Sequence, residues 1–199
     1  MVDITNYADF ESALDEAFPL DPKPSFDWSD GRVAEEARVF FSKKNWRECV
    51  GFKVQLFDCF FSRNLELFPI EVSEYYLPAF LLSASLDLYG AKEKHSFPSD
   101  IADGLLLAIP NTEEMREKTD HALCPFGLVT SCPNGRVQLY RALTPSQRKC
   151  VASFLRLFWS DYWVASGAVN EDRQLLFDKI VDCWDQSTFD MGNSQSNFY

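Results

Sequence analysis

Histidine is nearly absent from the chain, with only His95 and His121 in 199 residues, and that scarcity removes most metal-site and acid–base grammar at the outset. Glycine is also sparse. The eight glycines are scattered, and none forms the G-x-G-x-x-G or G-K-[ST] pattern that cradles phosphate. No G-x-S-x-G elbow and no H-E-x-x-H helix occurs. Apolar runs stop well short of 18 residues and mean hydropathy is −0.21, so the sequence predicts no bilayer-spanning segment. Positive charge is in deficit as well. Thirty acidic residues face 19 basic ones, for a net charge of −11 and a pI near 4.6. Such a surface repels phosphate backbones and anionic lipid, which excludes nucleic acid and membrane as partners. Met1-Val2-Asp3-Ile4-Thr5 contains neither a basic nor an apolar leader segment, and a cytoplasmic protein is expected.

What the chain does have is aromatic carbon: 18 Phe, 5 Trp and 7 Tyr, or 15% of the residues. Rings in that number predict a Phe/Leu-packed core, with some available as anchors for a partner. The length suits one domain able to bury about 70% of its extended surface. Six cysteines (Cys49, Cys59, Cys124, Cys132, Cys150, Cys183) at irregular spacing, with no C-x-x-C pair, read as reduced thiols used as small apolar residues.

Helical periodicity dominates the pattern. After Asn6 as a cap, Tyr7, Phe10, Leu14, Ala17 and Phe18 recur at spacings of three and four, until Pro19 ends the segment. A second helix is predicted over about 31–41, with Val33, Ala37 and Phe40 or Phe41 inward. A third, over about 52–63, is apolar on most faces and therefore central. Pro78 would break a helix interior, so the next helix is placed from Leu77 or Pro78 to about Tyr89. A short helix follows over about 99–109, and 111–122 is a charged loop or loose helix. Pro133-Asn134-Gly135 reads as the turn of a β-hairpin with arms at 126–131 and 136–141. Thr144-Pro145-Ser146-Gln147 is a capping box with proline at the first helical position, ahead of Val151, Phe154, Leu155, Phe158 and Tyr162 on one face. Asn170 caps the last helix, with Leu176, Ile180, Cys183 and Trp184 inward. The expected fold is therefore mainly α: one helical domain over 1–186, of six to seven helices with one small β-hairpin insertion, and a flexible tail over 187–199.

Three stretches in this order resemble a small bacterial domain family of unknown function: Glu74-Tyr75-Tyr76-Leu77-Pro78-Ala79-Phe80-Leu81-Leu82, Asp100-Ile101-Ala102-Asp103-Gly104-Leu105-Leu106, and Leu143-Thr144-Pro145-Ser146-Gln147 with Val151, Phe154 and Leu155. The similarity covers about 30–160, apart from the inserted charged stretch and hairpin at 111–141. It implies a bacterial, cytosolic, mostly helical protein and carries no activity and no catalytic residue.

Chemistry-bearing groups are few. His121-x-x-Cys124 with Cys132 offers one nitrogen and two sulfurs, but that spacing fits no zinc-ligand pattern, so no metal and no cofactor are expected. A cysteine nucleophile needs a base at hand, and no spacing selects one. The pairs Asp100/Asp103 and Glu113/Glu114 read as helix-start charge and a solvated face. No catalytic residue is assigned.

The distribution of charge is more informative. Residues 1–30 carry eight acids and one base, residues 161–199 seven acids and two bases, and the middle is close to neutral. Side by side, the two ends would form one acidic wall able to steer a cationic protein. Asp9, Asp15, Glu16, Asp172, Asp178, Asp182 and Asp185 are assigned to that wall, with Trp28 and Trp163 as apolar anchors. Trp184 is assigned to the core. Small size, segregated acid and missing catalytic grammar point to a non-catalytic binding protein, an immunity or inhibitor protein against a basic toxin domain. A regulatory scaffold, or an enzyme of unrecognised type, are the alternatives.

Overall fold

A computed structural model describes residues 7–21, 23, 25, 35–50, 68–90, 139–158 and 171–185. Among these residues the structure is mostly helical, with no strand: α1 (Tyr7–Ala17), α2 (Glu35–Ser42), a 3-10 turn (Arg47–Cys49), α3 (Ile70–Gly90), α4 (Pro145–Phe158) and α5 (Glu171–Asp185). The expected helices at 52–63 and 99–109, the charged stretch at 111–122, most of the hairpin and the tail at 187–199 lie outside them. None of the described helices is long and apolar enough to cross a membrane.

Helix α1 follows its periodicity. Phe10 and Leu14 are fully buried, Phe18 nearly so, and Tyr7, Ala13 and Ala17 pack at the edge of the core. In α2 the choice between neighbouring phenylalanines resolves in favour of Phe41, whose ring meets Phe68, Tyr76 and Phe80 at 4.9–6.0 Å. Such ring pairs add about 0.5–1.5 kcal/mol each beyond the area they bury.

Helix α3 departs from expectation. It begins at Ile70, about two turns before the predicted start, and holds Pro78 in its interior. Proline has no N–H for the Glu74 carbonyl, and an interior proline costs about 3 kcal/mol. Burial offsets that cost. Val72, Tyr75, Tyr76 and Leu77 precede the proline, Ala79 to Leu82 follow it, and all are buried. The Pro69 carbonyl accepts the Val72 and Ser73 amides at 3.0 Å each and anchors the first turn. Residues 75–85 of α3 are buried without a break, which sets this stretch inside the described core.

Glu74 is half-buried on this helix. Burial first, and then the neighbouring Glu71 charge, hold its carboxyl above the usual carboxylate range. Because its pKa is higher folded than unfolded, its ionisation opposes folding: stability falls as pH rises from the unfolded pKa through the folded one. Glu74→Gln is therefore expected to raise the urea midpoint at pH 7 and to flatten its rise on acidification. A lower midpoint at pH 7 would contradict this.

Helix α4 starts as its sequence dictates. The Thr144 amide donates to Gln147 Oε1 at 2.8 Å and the Gln147 amide to Thr144 Oγ1 at 3.3 Å, a reciprocal capping box with Pro145 at the first helical position. Val151, Phe154 and Leu155 are buried as expected. α4 packs on α1, α3 and α5, and α1 also meets α3. Phe10 and Phe154 lie 6.4 Å apart, and the Cys150 thiol donates to the Ala13 carbonyl at 3.5 Å.

The hairpin needs correction at its second arm. Residues 139–142 are helical, and the Leu143 amide donates to the Leu139 carbonyl at 3.2 Å. Leu139, Tyr140 and Leu143 are buried together, a helical spacing that the alternation of a strand cannot produce. Tyr140 then donates to the Cys183 carbonyl at 3.0 Å and sets its ring edge-on to Trp184, 4.9 Å away. On α5 the buried row is Phe177, Val181 and Trp184, with Cys183 beside it, while the side chains of Leu176 and Ile180, expected inward with Trp184, lie outside the described residues. Trp184 is a core residue, as its position indicated.

Candidate functional site

The acidic residues assigned to partner binding fall on α1 and α5, and α4 gives both helices a common support. On α1 the core stripe of Phe10 and Leu14 turns Asp15 and Glu16 outward. Asp9 is half-buried. Asp15 is not an isolated charge: Arg47, from the turn after α2, donates to Asp15 Oδ2 at 3.0 Å and to Glu11 Oε1 at 2.6 Å. All three side chains are about a third to a half exposed, which limits the worth of these pairs to about 1 kcal/mol or less each.

On α5, Glu171, Leu175, Asp178 and Asp182 recur at four, three and four residues. They are all exposed, so they make one stripe along the helix, with Lys179 at its edge. Leu175 has 58% of its surface exposed in the midst of these carboxylates. Gln174 donates to Asp178 Oδ1 at 2.8 Å within the helix. At the end of the helix Asp185 accepts from Arg156 of α4 at 2.8 Å, which ties it to the bundle. Thus Glu16, Asp178 and Asp182 face solvent, whereas Asp15 and Asp185 are paired with arginine. Trp28, Trp163 and the side chain of Asp172 lie outside the described residues, as do His95, His121, Cys124 and Cys132.

The nucleophilic groups inside the core are quiet. Burial pushes the Cys49 thiol up to about 12, and burial with the nearby Glu16 charge does the same to Cys150. Cys183 is raised by burial and by Asp182. A thiol so raised stays protonated at neutral pH and does not attack. Among the described residues, no group of three or more His, Cys, Asp or Glu side chains converges to hold a metal ion.

Some contributors were missed in the sequence. Leu175 lies one position from the expected apolar row, and Glu171 follows directly on the Asn170 cap. Arg47 and Arg156 come from remote segments, so nothing local announces their pairing. A local signal did exist for the turn that carries Arg47. The Asn45 amide donates to Glu48 Oε2 at 2.8 Å and the Glu48 amide to Asn45 Oδ1 at 2.9 Å, the same reciprocal box as Thr144/Gln147, written Asn-x-x-Glu.

Compared with protein-family models, curated proteins and solved structures, the chain matches none.

Proposed function

We propose that this is a non-catalytic binding protein of the immunity or inhibitor type, acting in the cytoplasm on a basic protein partner such as a toxin domain. The observation that carries the reading is the stripe of α5, where Glu171 and Asp178 flank the exposed Leu175 and Asp182 follows one turn on. An apolar contact set among carboxylates suits a partner surface in which lysines or arginines surround an apolar residue. Glu16 on α1 adds to the same field, and the net charge of −11 extends its reach. Asp15 and Asp185 serve the reading less directly, since each is already paired with an arginine.

The test begins with the protein that co-purifies at low ionic strength from the native cell, whose association is then measured with purified components. The variant Glu16→Lys/Asp178→Lys/Asp182→Lys is expected to bind it with an association rate lower by about tenfold or more, the dissociation rate changing far less. In the wild type, added salt should slow association in the same way. Equal rates for the two proteins, or a partner that is itself acidic, would overturn the reading.

A further inference from the structure

At the C-terminal end of α2 three backbone carbonyls converge on one point. Phe41 and Ser42 close the helix, where carbonyls have no intrahelical partner, and the turn that follows brings in a third from Lys44. The Lys23 amine sits where they meet. Its Nζ donates to the carbonyls of Phe41, Ser42 and Lys44 at 3.1, 2.7 and 2.7 Å. An ammonium has three N–H groups, and here each has its own acceptor. The ring of the fully buried Tyr76 supplies another wall, its centre 5.9 Å from Nζ. Among the described residues, the partners of this amine are thus peptide dipoles and an aromatic ring, with no carboxylate.

Hydrogen-bond accounting does not explain the arrangement. The Tyr76 hydroxyl already bonds the Phe41 carbonyl and lies 2.8 Å from that of Lys44. The Lys44 amide donates back to the Phe41 carbonyl at 3.3 Å. Ser42 is exposed, and water can serve its carbonyl. Without Lys23, each of the three carbonyls would still find a donor. What none of those neutral donors supplies is positive charge at a point where three carbonyl dipoles and the dipole of α2 turn their negative ends.

We propose that the end of α2 is a binding site for a small monovalent cation bearing N–H groups, filled in the native chain by the Lys23 side chain as a tethered occupant. Remove the tether, and the carbonyls of Phe41, Ser42 and Lys44 take up free ammonium in its place. The charge is the part that matters, and the side-chain stem serves to deliver it. The occupied site also holds the turn from which Arg47 reaches Glu11 and Asp15.

The experiment uses full-length wild type and Lys23→Ala, each unfolded by urea in ammonium chloride or in tetramethylammonium chloride at equal concentration. The two cations carry the same charge, but tetramethylammonium has no N–H and is too wide to sit among the carbonyls. Lys23→Ala is expected to lower the urea midpoint by about 0.5 M in tetramethylammonium chloride. Ammonium at about 0.5 M is expected to return roughly half of that loss or more, by mass action on the folded state. Wild type, whose site is filled, should differ little between the two salts. Binding is located by following amide resonances of Lys23→Ala during an ammonium titration. The amides of Ser42, Lys43 and Asn45 share peptide groups with the three carbonyls, and their signals should shift saturably with ammonium and not with tetramethylammonium. A Lys23→Ala midpoint that is the same in both salts overturns the proposal. So does an ammonium advantage of equal size in wild type, or the absence of a saturable shift at those three amides.

Discussion

Trp46→Ala is expected to destabilise the protein by about 3–5 kcal/mol, the range for removing a large ring from a packed core, and to lower Tm by roughly 6–20 °C. Trp46 is fully buried. Its indole N–H satisfies the Phe18 carbonyl, and the Arg47 guanidinium lies 5.4 Å from the centre of its ring. Truncation opens a cavity and strips the Phe18 carbonyl of its donor, two losses that add because they arise from different atoms. Trp46→Phe separates them, since it retains most of the ring volume and deletes only the donor. Its expected cost is about 1–3 kcal/mol. Urea unfolding of the two variants against wild type decides the matter, and equal midpoints for Trp46→Phe and Trp46→Ala would show that the cavity contributes nothing.

Trp184→Ala is the second large effect, again about 3–5 kcal/mol with the edge-on contact to Tyr140 included. The side chain is fully buried and shares the inward row of α5 with Phe177 and Val181. α5 is docked by that row, by Tyr140 on the Cys183 carbonyl and by the Arg156–Asp185 pair. The pair is too exposed to hold the helix by itself. The loss should therefore appear first as faster hydrogen exchange in 171–185, ahead of α3. On the proposed function, partner binding should weaken as α5 loosens, although Trp184 itself faces away from solvent. Unaltered exchange in α5 would mean that this ring does not fasten the helix.

The contrast between these two tryptophans shows what can be read from the chain by itself. Trp184 follows a helical row, so its burial was visible in the spacing. Trp46 sits in an irregular turn, and what fixes it is a carbonyl 28 residues away. Thr144 and Gln147 meet across three residues, which is why that helix start was legible down to its hydrogen bonds. Asn45 and Glu48 do the same and could have been recognised by the same rule. Pro78 misled because a local penalty of one hydrogen bond was weighed without the burial on both sides of it. The arm at 136–141 misled because an Asn-Gly turn was allowed to assign its neighbours, although Leu139, Tyr140 and Leu143 already carried a helical spacing.

The exposed acids were legible only in part. Counting charge along the chain located the acids, and helical phase put Glu16, Asp178 and Asp182 at the surface. No count could reveal that Arg47 reaches back across more than thirty residues to Glu11 and Asp15, or that Arg156 holds Asp185. Long-range pairing is a property of the packed bundle. The role of Lys23 is hidden for the same reason, since its amine meets acceptors 18 to 21 residues further on.

Helix α3, at 21 residues, would measure about 31 Å along its axis, close to the hydrocarbon thickness of a bilayer. Length alone would let such a segment be mistaken for a membrane anchor as it leaves the ribosome. Glu71, Glu74 and Asp87 stand against that fate, because each carboxylate placed in lipid carries a penalty of a few kcal/mol near the centre and less toward the ends. Glu74, whose ionisation opposes folding inside the bundle, thus also adds to the cost of placing this helix in lipid.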